Sequence, residues 1–230
     1  MSDTLALVRL LQLASPSLPV GAYSYSQGLE AAVESGDVHD AASARAWIGD
    51  VFALSVATME APILLRLIEA WRQAALSPGS GHGSVARWND EYAASRETFE
   101  LRAETLQMGY SLRKLLVEMN GSRAEALAAI EDICFPTAFA FAAVDAGIDA
   151  RDALAAYLFA WIENQSLAAL KSIPLGQTDC QRLLRDLAAE IPLIVERAVA
   201  MRDEELANFA PGMAHASSRH ETQYSRIFRS

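Results

Sequence analysis

Residues 150–170 read ARDALAAYLFAWIENQSLAAL. Leu154, Tyr157, Leu158, Trp161, Ile162, Gln165, Ala168 and Ala169 recur there at steps of three and four, which places them on one face of an α-helix. Asp149 and Asp152 stand at its head, where carboxylates can accept from free backbone N–H groups and face the positive end of the helix dipole. The same period runs through the flanking sequence. No strand-length segment alternates apolar and polar residues between hairpin turns. The chain therefore reads as all-α, a single helical domain of roughly nine or ten helices.

Working outward, residues 4–13 form a short apolar helix that Ser15-Pro16 and Pro19 end. From about Asp40 to Thr58, Ala44, Trp47, Ile48, Val51, Leu54 and Ser55 keep helical spacing, with Asp40 as N-cap. A separate helix is expected from Ala61 to about Ala75, with Pro62 in its first turn, where a missing N–H does no harm. Ser77–Ser84 is a Gly/Ser connector. A short helix follows over 85–95, around Trp88 and Tyr92. A long one spans 97–119, with Leu101, Thr105, Met108, Leu112, Leu115 and Met119 as its stripe and Asn120-Gly121 as its stop. Further helices are expected over about 123–132 and from Phe135-Pro136, the latter with Phe139, Ala142 and Ala143 in the core. Thr178 and Gln181 have capping-box spacing before a helix to about Val199, interrupted at Pro192. Pro211-Gly212 ends the helical run. The expected division is an all-α body over 1–210 and a flexible tail over 211–230.

Composition narrows the function classes. The net charge is −10, yet Ala207–Ser230 carries +2 from Arg219, Arg226, Arg229 and Glu221, so the first 206 residues carry −12. An acidic body argues against nucleic-acid binding, and a basic tail on it suggests protein partners. No run of 18 uninterrupted apolar residues suggests a membrane span. The apolar start contains Asp3 and Arg9 in the reverse of a signal peptide's order, which leads to a cytoplasmic expectation. Cys134 and Cys180 are expected as buried thiols, and Cys134 as inert for lack of a neighbouring cation.

A search for reaction chemistry finds no specific spacing. His39, His82, His215 and His220 include no i, i+4 pair, no Glu-x-x-His is present, and Gly83 is not followed by the Lys-Ser/Thr of a phosphate loop. No catalytic residue, metal site or cofactor is expected. Two segments remain. Residues 18–30, LPVGAYSYSQGLE, are either a turn capping the next helix or a loop presenting Tyr23 and Tyr25, with Ser24 and Gln27, at an interface. Residues 219–230, RHETQYSRIFRS, are either an idle end or a segment that orders on a partner. Tyr224, Ile227 and Phe228 solvate poorly, and Arg226 and Arg229 can fork onto carboxylates.

The stretches 18–30, 96–112, 135–143, 156–179 and 220–230, in this order along nearly the whole chain, resemble the urease accessory protein UreF family. That resemblance implies an all-α homodimer. It implies a non-enzymatic scaffold joining the D/H-type accessory protein and the GTPase UreG for GTP-dependent nickel insertion into apo-urease. It also implies that Tyr23, Ser24 and Gln27 face the GTPase. His220, Glu221, Tyr224, Arg226, Phe228 and Arg229 would order on the D/H partner, and Glu163, Asn164, Gln165 and Lys171 would lie at the complex surface or along an internal polar seam. Two other readings are a helical metal-binding enzyme and a direct activator of GTP hydrolysis through Arg226 or Arg229.

Overall fold

A computed structural model describes residues 4–76, 81–120 and 124–230, and among these every regular element is helical. Ten helices follow one another: α1 (Thr4–Leu13), α2 (Leu29–Glu34), α3 (Ala41–Leu76), α4 (His82–Ala94), α5 (Phe99–Asn120), α6 (Phe135–Asp145), α7 (Ala150–Ser172), α8 (Gln177–Ala188), α9 (Ile191–Ala200) and α10 (Pro211–His220). Helix α7 is the axis. It packs against α2, α3, α6, α8 and α9, and all eight residues of its expected stripe are buried. Asp149 caps it, accepting from the Arg151 N–H at 2.8 Å. The all-α expectation holds.

Helix α6 is buried from Pro136 to Ala143 and fills the space between α3 and α5. At its start, α5 passes so close to the backbone of Ile133 and Cys134 that a Cβ on Gly109 would collide with the Ile133 carbonyl. Glycine is required there by contact rather than by conformation.

Several boundaries differ from expectation. The two helices expected over 40–58 and from Ala61 are one continuous 36-residue helix, α3. Its middle, Phe52–Glu60, is π-helical, with the Ala61 N–H donating five residues back to the Val56 carbonyl. Pro62 cannot donate to the Thr58 carbonyl, and the chain compensates from outside the helix. The Ala207 N–H donates to Thr58 O at 3.2 Å, Thr58 Oγ1 donates to Ala207 O at 2.6 Å, and the Phe209 N–H donates to Leu54 O at 3.1 Å. By length and composition α3 could cross a membrane, but its most apolar window is 67% buried in the fold, as a core helix requires.

Asp40 caps α3 reciprocally with Ser43, through bonds of 2.8 and 3.0 Å. Helix α4 begins at His82, three residues before the expected start. On α5 the buried face passes to Leu116 and leaves Met119 exposed, because 3.6-residue spacing drifts off the expected stripe. The helix expected over 123–132 contracts to one turn, Glu125–Ala128. Helix α8 starts without a side-chain cap, so Thr178 and Gln181 form no capping box, whereas the break at Pro192 is present between α8 and α9. Gly121 of the expected stop and residues 77–80 of the connector lie outside the described residues. Cys134 and Cys180 are buried free thiols, and burial pushes Cys134 up to about 12, which leaves it inert.

The segment expected as a flexible tail is ordered on the chain's own body. Residues 211–220 form α10, which packs on α2 and α5 and buries Met213, Ala216, Ser217 and His220. A cut at 211 would therefore open the interior rather than trim a free end. Gly28 permits the approach: at φ 83 it turns the chain into α2, and a Cβ there would sit 3.0 Å from the Ser217 nitrogen.

Candidate functional site: a loop and a tail joined over three carboxylates

The loop 21–28 and the chain end 221–230 lie side by side. The Arg229 N–H donates to Ser24 O and the Ser26 N–H donates to Ser230 O, both at 2.8 Å, and the Ser26 hydroxyl also donates to Ser230 O. Beneath them are three carboxylates. Glu30, in the first turn of α2, accepts the Ile227 N–H at 2.6 Å and the Phe228 N–H at 2.9 Å. Glu100, in the first turn of α5, accepts from Arg226 Nη1 at 2.7 Å. Glu104, one turn further on, accepts from Gln27 Nε2 at 2.8 Å and from the Ser230 hydroxyl at 3.1 Å.

His220 is the hub. It is 0% exposed, with Nε2 3.0 Å from Glu30 Oε2 and Nδ1 2.7 Å from Glu100 Oε2. Backbone bonds to a carboxylate and a paired imidazole are charge-assisted, which makes them the stronger class of hydrogen bond. Glu221 closes the same end by accepting the Phe99 N–H at 3.0 Å, satisfying a free donor at the start of α5.

Gln27 ties the loop to the core. Trp161 Nε1 donates to its Oε1 at 3.0 Å, so its amide nitrogen must face Glu104. Gln27 is also the one non-glycine residue among those described with positive φ, at 52, a conformation its two side-chain bonds hold in place. Asn164 Nδ2 donates to Tyr25 O at 3.2 Å and Lys171 Nζ to Tyr23 O at 3.4 Å. The Lys171 ammonium lies 5.8 Å from the Tyr23 ring and 5.5 Å from the Phe228 ring.

Behind Gln27, a cavity of about 110 Å³ is lined by Gln27, Glu60, Tyr92, Arg96, Glu104 and Trp161, among others. Glu60 and Arg96 form a buried ion pair at 3.3 Å, Tyr157 donates to Glu60 at 2.6 Å, and Arg96 lies 4.5 Å over the Tyr92 ring. Burial raises Tyr92 and Tyr157 well above the usual phenol range and moves Glu104 up to about 7. Among the described residues no three His, Cys, Asp or Glu side chains are grouped to hold a metal ion.

The residues singled out from sequence divide into two sets. Tyr23, Lys171, Glu221, Tyr224, Arg226 and Arg229 are exposed, with Ser24 and Gln27 partly so. Tyr25, His220 and Phe228 are interior, at 5%, 0% and 5% exposure. Tyr25 is thus not displayed beside Tyr23; burial raises its pKa, and it packs in the core. Asn164 serves the Tyr25 backbone carbonyl, while Gln165 leaves its buried Nε2 without a bond partner among the described residues. Arg226, a possible reach-in arginine, is held by Glu100.

Sequence reasoning missed Glu30, Glu100, Glu104 and Trp161 as site residues. A signal existed on α5: Glu100 and Glu104, four apart, adjoin the apolar stripe of Leu101, Thr105 and Met108, where a carboxylate needs a partner.

An all-helical chain with this joined loop and tail matches the family model described as UreF over residues 38–188. It is 54% identical to a urease accessory protein UreF of Azoarcus sp. (strain BH72), over 98% of this chain and 96% of that protein. A UreF of Methylobacillus flagellatus is 48% identical over the full length of both, and one of Janthinobacterium sp. (strain Marseille) is 50% identical over 98% of each. The family model leaves out the loop and the tail, but the full-length relatives span both. The chain belongs to the UreF family of urease accessory proteins.

Proposed function

We propose that this chain is a non-catalytic scaffold of urease maturation in the cytoplasm. Acting as a homodimer, it would join the D/H-type accessory protein to the GTPase UreG, so that GTP hydrolysis drives nickel, the cargo, into apo-urease. The observation that carries this reading is the composite face around the docked chain end. Tyr23, Phe99, Tyr224 and Ile227 are exposed together with Lys171, Arg226 and Arg229, on a body of opposite charge. Exposed aromatics ringed by arginine and lysine are the composition of protein interfaces, and a basic face on an acidic body orients an acidic partner. Tyr224 is fully exposed, at 105%, and no internal contact accounts for it.

Co-expression with D/H and UreG subunits, followed by sizing of the complexes, tests the reading. Tyr224→Ala and Tyr23→Ala should each lose at least one partner and lower urease activation while the chain itself stays folded. Full complexes and full activation with both variants would overturn it.

A further inference from the structure

We propose that His220 is an ionic pin whose protonation decides whether the chain end 221–230 stays docked. This goes beyond the scaffold reading and stands whether or not that reading does.

Each ring nitrogen of His220 faces a carboxylate oxygen, Glu30 Oε2 at 3.0 Å and Glu100 Oε2 at 2.7 Å, with the ring fully buried. A neutral imidazole has one N–H and one bare nitrogen, so it can satisfy one of these carboxylates and must set a lone pair against the other. Only the imidazolium donates to both. The charges agree: Glu30 and Glu100 are balanced by Arg226 and the imidazolium, and loss of the ring proton leaves an uncompensated negative charge in the interior. Other ionisable groups nearby do not offset it. On α5, Glu104 is bonded to Gln27 and Ser230 and takes on its own negative charge near pH 7, which adds to the imbalance; on α10 and just beyond it, Arg219 and Glu221 are exposed, Glu221 being bonded to the Phe99 N–H.

The docked end depends on the same carboxylates, because Glu30 also receives the Ile227 and Phe228 N–H groups and Glu100 receives Arg226. Deprotonation of His220 therefore loosens the pin under both attachments. Through the Arg229–Ser24 and Ser26–Ser230 bonds, release also frees one side of the loop that carries Tyr23.

Amide exchange of the full-length chain tests this, with the α7 amides as a control for global unfolding. Protection of the Ile227 and Phe228 amides should fall about tenfold or more between a pH at which the ring's ¹⁵N shifts show both nitrogens protonated and one at which they show a single N–H, while α7 stays protected. Glu100→Gln should abolish that dependence and keep the end docked. Its amide oxygen can accept from Arg226 while its NH₂ donates to a neutral ring whose Nε2–H goes to Glu30. A pH-independent wild type, or a variant that follows the wild-type profile, overturns the proposal. The ¹⁵N shifts of the wild-type ring provide a check that needs no variant: both nitrogens must carry protons while the end is docked, and a neutral ring in the docked state rules the pin out.

Discussion

Trp161 Nε1 lies 3.0 Å from Gln27 Oε1, and that bond sets the direction of everything beyond it. An indole nitrogen can only donate, so the Gln27 amide cannot flip, and its nitrogen is committed to Glu104. The loop, the central helix α7 and the long helix α5 meet in this one chain of bonds.

Glu104 makes stability depend on pH. Its pKa is about 7 in the fold because burial penalises the charged form, against 4.5 for an ordinary glutamate. The folded state therefore binds more protons than the unfolded state between those values. This group's contribution is fully favourable below about pH 4.5 and declines until the pH passes about 7, by up to about 3 kcal/mol. Glu104→Gln, which can keep both the Gln27 and Ser230 bonds, should flatten the profile over that window. Urea unfolding at a series of pH values measures it; an unchanged slope in the variant would mean that Glu104 is not the group responsible.

The Glu60–Arg96 pair should tolerate no single truncation. Arg96→Ala leaves a buried carboxylate with only hydroxyl donors and should cost about 3–5 kcal/mol by equilibrium denaturation.

Gly109→Ala adds one methyl group where the Ile133 carbonyl already lies. Helix propensity alone favours alanine by about 1 kcal/mol. The collision should reverse that sign and destabilise the fold by about 2 kcal/mol or more, read as a fall in Tm. A stabilised variant would show that α5 and the 133–134 backbone are further apart than described.

Tyr224→Ala, by contrast, should change stability by less than about 0.5 kcal/mol, since its side chain packs against nothing. Phe228→Ala, which removes a buried ring beside Lys171, should cost about 3 kcal/mol. The difference in Tm between the two separates display from anchoring within five residues of sequence.

The helical body was legible because burial repeats with the helix period, and the α7 stripe lies where its spacing puts it. The π segment of α3 was not: Pro62 reads locally as a helix start, and only the 207–209 backbone, about 150 residues away, shows why the helix continues. The site divides the same way. Residue type marked Tyr23, Tyr224 and Arg229 as contact-capable, and they are exposed. It could not mark His220 as interior, since its partners lie 190 and 120 residues away and carboxylates that distant leave no trace in local spacing.

Wide turns shift the phase of a helix, so the residues on either side of Phe52–Glu60 face the core only because the turns between them are wide. Regularising the backbone there to α geometry with every residue kept would rotate everything beyond it by on the order of 100°. Leu64, Leu67, Ile68 and Trp71 would then swing away from α6, and the Thr58 carbonyl would no longer meet Ala207. The width of these turns is as constrained as any side chain in the core, although no single residue within the segment carries that constraint.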